Sequence, residues 1–185
     1  MSISSTNGIS KGPNNSSENK VCGGNSGSSH GVIYVIGIGP GYKEEMTPRA
    51  VDALEQSDII VGYNTYIALI KDLIGDKEVV GNGMRQEVDR CQKAVDLAVE
   101  GNKVAVVSSG DPGVYGMAGL VLELIQKVDA QKRPECIVIP GLTAANTSAA
   151  ALGAPLMHDY AVISLSDLMT PVSYTHLTLP TNSRV

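Results

Sequence analysis

The chain has no tryptophan and no phenylalanine among its 185 residues, so tyrosine supplies every aromatic ring. A core must therefore be filled by Leu, Ile, Val, Met and Ala, and the length suffices for one domain that does so. Cysteine is scarce: Cys22, Cys91 and Cys136, an odd number without a C-x-x-C pair. That pattern indicates neither a disulfide framework nor a zinc site. Cys91 falls on an apolar helical stripe and Cys136 begins an apolar run, so both read as small core residues in a reducing, cytoplasmic setting. Basic residues are outnumbered, 14 Lys and Arg against 19 Asp and Glu, for a net charge of -5. This balance weighs against nucleic acid or an anionic membrane as partner, because both need a basic face. No apolar run reaches membrane-spanning length, and the amino terminus lacks the apolar segment of a signal peptide.

What is present is an alternation of strand and helix. Residues Met1 to about His30 are rich in Ser, Asn and Gly and read as a disordered tail. From Gly31 onward, short apolar runs predict strands at Val32–Ile36, Asp58–Val61, Lys77–Val80, Val104–Val107, Ile137–Ile139 and Tyr160–Leu165. Between them, helices are expected from Thr47-Pro48 to about Gln56, from the second strand to about Leu73, over Gln86–Glu100, from Met117 to about Val128, and over Thr143–Leu152. Thr47 reads as an N-cap with Pro48 at the first helical position. Val88, Cys91, Val95 and Ala98 define one apolar face, and Gly101 stops that helix. The pattern predicts an α/β fold, a mostly parallel sheet with helices on both faces. The Thr-rich stretch 172–185 departs from it and reads either as a non-native tail or as an ordinary flexible terminus.

Three strands end in loops of small residues. They are Gly37-Ile38-Gly39-Pro40-Gly41, Ser108-Ser109-Gly110-Asp111-Pro112-Gly113-Val114-Tyr115-Gly116, and Pro140-Gly141-Leu142-Thr143-Ala144-Ala145. Loops of this kind let a ligand approach the backbone, and in open α/β sheets ligands bind at the carboxyl ends of strands. A dinucleotide fingerprint fits poorly. Its glycines must open directly into a helix, whereas here the helix waits until Thr47. Its ribose-binding acid belongs at the end of the second strand, whereas Asp58 stands at the start and Gly62-Tyr63 at the end. The phosphate-binding lysine pattern of nucleoside triphosphatases is absent, and no His, Cys and carboxylate cluster suggests a metal site.

Taken together, the three loops, with Met46-Thr47-Pro48 after the first, resemble the tetrapyrrole methyltransferase family. Val61-Gly62-Tyr63-Asn64-Thr65-Tyr66, the run from Gly83 to Cys91, Ala154-Pro155-Leu156-Met157-His158-Asp159 and Ser164-Leu165-Ser166-Asp167 narrow the resemblance to the precorrin-3B C-17-methyltransferase branch. It covers about Gly31 to Pro171. The resemblance implies S-adenosyl-L-methionine as methyl donor, a tetrapyrrole (precorrin) substrate, a homodimer, and two α/β domains with the cleft between them. It further implies methylation of precorrin-3B or cobalt-precorrin-3 at C-17 with ring contraction. On that basis the chain is expected to be the N-terminal domain, over 31–171, and to bind the donor weakly without the second domain.

Carried over residue by residue, the resemblance assigns Pro40, Ser109, Gly110, Asp111, Val114, Thr143 and Ala144 to the cofactor. It leaves Gly39, Gly41, Tyr66, Arg85 and Tyr115 to the substrate. Each residue also has a plain structural reading. Asp111 before Pro112 is an ordinary turn residue. Thr143 is either a helix cap, a ligand contact or both. Tyr115 is a cleft wall or the first packing residue of a helix. Tyr63 and Tyr66 line the macrocycle or cap the core. Arg85 pairs with substrate carboxylates or is solvated. Some relatives carry an aspartate, proposed as proton acceptor, where this chain has Tyr63, so the base is left open between Tyr63 and His158.

Overall fold

The computed structural model describes residues 31–83 and 86–162. Five strands pair side by side, all parallel: β1 (Val32–Gly37), β2 (Ile59–Tyr63), β3 (Glu78–Asn82), β4 (Lys103–Ser108) and β5 (Glu135–Ile139). Their spatial order is β3-β2-β4-β1-β5. Around them stand α1 (Pro48–Gln56), α2 (Asn64–Leu69), α3 (Lys71–Ile74), α4 (Glu87–Val99), α5 (Ala118–Gln126) and α6 (Ala144–Ala151). The first segment, residues 1–30, the stretch 172–185 and Arg85 lie outside the described residues.

The central strands are apolar on both faces because helices cover both faces. On one side Ile33, Val35, Ile59, Val61, Val104 and Val106 meet Cys91, Ala94, Val95 and Ala98 of α4 and Val121 and Ile125 of α5. On the other side Ile36, Ile60, Ala105 and Val107 meet Ala50, Ala53 and Leu54 of α1, with Ile70 between α2 and α3 and Ile74 at the end of α3. Alternate residues of each strand thus serve opposite layers. The side chains that make up these layers are those left once Trp and Phe are excluded.

Local chemistry sets the element ends. Thr47 caps α1 by accepting a hydrogen bond from the Ala50 amide at 3.2 Å, with Pro48 in the first turn. Lys77 closes the other end of α1, its Nζ donating to the carbonyls of Glu55 at 2.8 Å and Ser57 at 2.6 Å. Asp58 accepts from the Lys103 amide at 2.9 Å and so ties β2 to β4 at their amino ends. It stands away from the loops, as the sequence suggested when it spoke against a ribose-binding role. Gly101, at φ 101, terminates α4.

Three expectations need correction. The helix after β2 is broken into α2 and α3 at Ile70, whose φ of -110 and ψ of 11 leave the helical region while its side chain is buried. Val88 does not share the apolar face of α4. It is 59 % exposed in the first turn, and Arg90 takes a place in the buried stripe instead. Tyr160–Val162 forms no strand; these residues are exposed, Tyr160 and Val162 line the cavity described next, and Ile163–Leu165 lie outside the described residues.

Candidate ligand cleft at three strand ends

β4, β1 and β5 are neighbours, so their carboxyl ends bring the three loops together. The connection leaving β1 runs toward β2, and the one leaving β4 runs the opposite way to β5, which opens a crevice over β1. The loops are bonded to one another through their backbones. The Gly39 amide donates to Gly110 O at 3.1 Å, and the Gly110 amide returns a bond to Gly39 O at 2.8 Å. Both residues have positive φ, 59 and 63, a conformation that glycine adopts without steric penalty. Gly141 is required for another reason. A Cβ there would collide with Gly110 O and with the backbone of Gly37.

Asp111 completes the joint. Its Oδ1 accepts from the Gly113 amide at 2.7 Å, closing its own turn, and its Oδ2 accepts from the Gly141 amide at 3.2 Å. One carboxylate therefore couples the loop after β4 to the loop after β5. Its negative charge is directed at two backbone donors. Thr143 caps α6, its Oγ1 accepting from the Asn146 amide at 3.3 Å, and Thr147 follows one turn later on the same side.

The resulting cavity has a volume of about 540 Å³, which is in the range of small-molecule and cofactor sites. All of Pro40, Ser109, Gly110, Asp111, Val114, Thr143 and Ala144 line it, as do Gly39, Tyr66 and Tyr115. Gly41 does not; it is buried against Leu69. His158 lies on exposed chain outside the lining. Tyr63 packs edge-to-face on Tyr66, centroids 5.3 Å apart at 85°, and faces a smaller adjoining cavity. Tyr115 has a φ of 53, unusual for a bulky residue, and its Oη donates to Val162 O at 3.0 Å. Tyr115 is thus a cleft wall and precedes α5 rather than packing within it.

Ser108, Leu142 and Ala145, named from the sequence only as loop members, also line the cavity, as do Thr147, Tyr160 and Val162, which sequence reasoning passed over. Thr147 had a signal, its spacing of four from Thr143 on a helix. Tyr160 and Val162 had the alternation that was assigned to a strand. Arg90 had none, because a charged residue in a polar helical turn reads as solvated. No cluster of three or more His, Cys, Asp or Glu placed to hold a metal occurs among the described residues. No helix among them is long and apolar enough to cross a membrane.

A sequence profile described as Tetrapyrrole (Corrin/Porphyrin) Methylases matches residues 32–181. The chain belongs to the tetrapyrrole methylase family. A "Probable cobalt-factor III C(17)-methyltransferase" of Salmonella typhimurium is 54 % identical over 142 residues, covering 76 % of this chain and 57 % of the relative. The crystal structure of the methyltransferase CobJ superposes with a TM-score of 0.70 at 38 % identity, covering 78 % of this chain and 60 % of that one. A uroporphyrin-III C-methyltransferase from Thermus thermophilus, complexed with S-adenyl homocysteine, has a TM-score of 0.52 at 26 % identity, covering 70 % of this chain and 54 % of that one. The chain thus spans somewhat over half the length of each of these three proteins. The tetrapyrrole methylase profile runs past Pro171, into the Thr-rich stretch that composition sets apart.

Proposed function

We propose that this chain forms the donor-binding side of an S-adenosyl-L-methionine-dependent methyltransferase of cobalamin biosynthesis. In this reading the enzyme methylates C-17 of precorrin-3B or of the cobalt-containing factor at the same stage, with ring contraction. The observation that carries the reading is the convergence of three glycine-bearing loops on one cavity, joined by Gly39, Gly110, Asp111 and Gly141. The names of the C-17-methylating relative and of the adenyl-homocysteine complex support it.

The residues fit an adenosyl sulfonium. The backbone at Gly39 and Gly110 is bare of side chains, so a flat ligand can lie against it. Val114, Leu142 and Ala145 provide apolar wall. Asp111 turns both carboxylate oxygens to amides, so it presents less negative charge to a cation whose charge must be lost during transfer. The bound donor would supply an electrophilic methyl group. The chain's own contribution is position: fixed alignment of donor and acceptor removes on the order of 7–11 kcal/mol from such a barrier. Tyr66 and Tyr115 line the cavity, and in this reading they form the wall that the acceptor macrocycle meets. Tyr63, packed on Tyr66, is the candidate beside this region for the proton that must leave the ring, while His158 is not among the lining residues.

Equilibrium binding tests the reading. S-adenosylhomocysteine should bind with measurable heat and be displaced by the donor, and NAD should not compete. Preference for NAD would overturn it. Incubation with donor and either tetrapyrrole, followed by mass spectrometry and NMR, should locate any new methyl at C-17. The homodimer implied by family resemblance belongs to the same proposal and is tested by analytical ultracentrifugation. A cytoplasmic setting, in which Cys91 and Cys136 stay as thiols, belongs to the proposal as well.

A further inference from the structure

A second cavity of about 150 Å³ opens beside the first and shares Tyr66, Ser108 and Tyr115 with it. Arg90 forms part of its wall. This arginine is 3 % exposed, among the most deeply placed polar groups of the described residues. Its Nη2 donates to Gly83 O at 2.9 Å and its Nη1 to the Met117 sulfur at 3.6 Å. The first is a neutral acceptor and the second a weak one. Its Nε is buried with no hydrogen-bond partner. Glu87 borders the same cavity, yet the one ion pair within 4.0 Å among the described residues joins Lys127 to Glu123.

A guanidinium stays charged at any physiological pH. Buried charges are normally paired, because leaving water without a counter-ion is costly. Arg90 therefore lines a small cavity with a fixed positive charge that has no carboxylate within 4.0 Å among the described residues, and its unpartnered Nε, itself sealed from solvent, belongs to the same planar group. The edge carrying Nε and an Nη nitrogen matches the two oxygens of a carboxylate. At about 150 Å³ the cavity is too small for a macrocycle and large enough for a carboxylate on a short arm.

We propose that Arg90 is the anchor of a carboxylate subsite opening from the main cleft. The subsite stands on an arginine in the cavity wall that is 3 % exposed and has no carboxylate partner among the described residues. Naming its natural occupant rests on the methyltransferase reading, which offers two sources: the acid side chains at the rim of the macrocycle, and the amino-acid carboxylate of the adenosyl ligand.

The test uses the whole chain labelled with 15N-arginine, the Arg90 Nε–H resonance being assigned by its loss in Arg90→Lys. Acetate, an octacarboxylic porphyrin and S-adenosylhomocysteine are titrated separately. Acetate should move the Arg90 resonance saturably, whatever reaction the enzyme catalyses. The porphyrin moving it identifies the macrocycle arm; S-adenosylhomocysteine moving it, with its decarboxylated analogue inert, identifies the amino-acid carboxylate. A response to acetate but to neither larger ligand keeps the subsite and removes the methyltransferase occupant. No response to any of the three overturns the proposal. Arg90→Met should weaken the responding ligand roughly tenfold to a hundredfold, as expected for loss of a charged hydrogen bond. Arg90→Lys should recover part of that loss, and Glu87→Gln should tighten binding. Equal affinity in wild type and a folded Arg90→Met would also overturn it.

Discussion

Asp111 and Tyr115, four residues apart, use the same loop in opposite ways. Asp111 stabilises it, through charged hydrogen bonds to Gly113 and Gly141. Removing a charged hydrogen bond costs about 1.5–3 kcal/mol, so Asp111→Ala should lower the urea midpoint and also weaken S-adenosylhomocysteine binding, as read by calorimetry. Tyr115 strains it, holding a left-handed φ of 53 while 64 % exposed. Such strain costs on the order of 1–3 kcal/mol and gathers at functional sites. Asn tolerates that conformation. Tyr115→Asn is therefore expected to leave the thermal midpoint unchanged or higher while ligand affinity falls. A drop in both would mean that the ring is held for packing alone. These two residues were visible in the sequence as members of one loop. The strain at Tyr115 was not, because φ depends on what the Val162 carbonyl and the cavity require of the ring.

At the scale of elements, contact between loops matters more than contact within them. Gly141 is the point where β5's loop passes beneath Gly110. Gly141→Ala should push these loops apart and abolish S-adenosylhomocysteine binding. The folded core should survive, because the displaced backbone lies outside both apolar layers; far-ultraviolet circular dichroism and calorimetry check the two halves of this expectation. The elements themselves were largely legible. β1, β4 and β5 were predicted to within about two residues, since continuous apolar runs bounded by Gly and Pro have few other readings. Thr47 and Thr143 announced their helices through capping chemistry. Where the reading failed, tertiary contact had overridden local pattern. Ile70 breaks a helix in order to bury itself. Val88 lies one turn before the part of α4 that reaches the sheet. Tyr160 and Val162 spend their apolar character on a cavity wall rather than on a strand. Arg90 was missed since nothing local distinguishes a buried arginine from a solvated one.

For the whole molecule, the thiols set a pH limit. Burial pushes Cys91 up from 9.0 to about 11, with Glu87 adding to the rise and Arg90 opposing it; burial alone takes Cys136 to about 11. Tyr34 is raised as well, by burial first and by Glu135 second. A raised folded-state value means that the folded chain holds its proton more tightly than the unfolded chain does. The stabilisation is thus complete below about pH 9 and is lost as pH climbs toward 11. Urea midpoints should fall across that window, and Cys136→Ala should reduce the slope. Alkylation of Cys91 and Cys136 in the native chain should be slow at neutral pH, because the thiolate is the reactive form.

The place of β1 in the sheet has a consequence for synthesis. Among the described strands it is made first, and its two flanking partners, β4 and β5, come far later in the chain. A chain emerging from the ribosome cannot complete its ligand pocket until Gly141 and Thr143 are outside the exit tunnel. Release of a chain cut just before Glu135 should yield a protein that retains helical signal yet gives no binding heat with S-adenosylhomocysteine, where the uncut chain does.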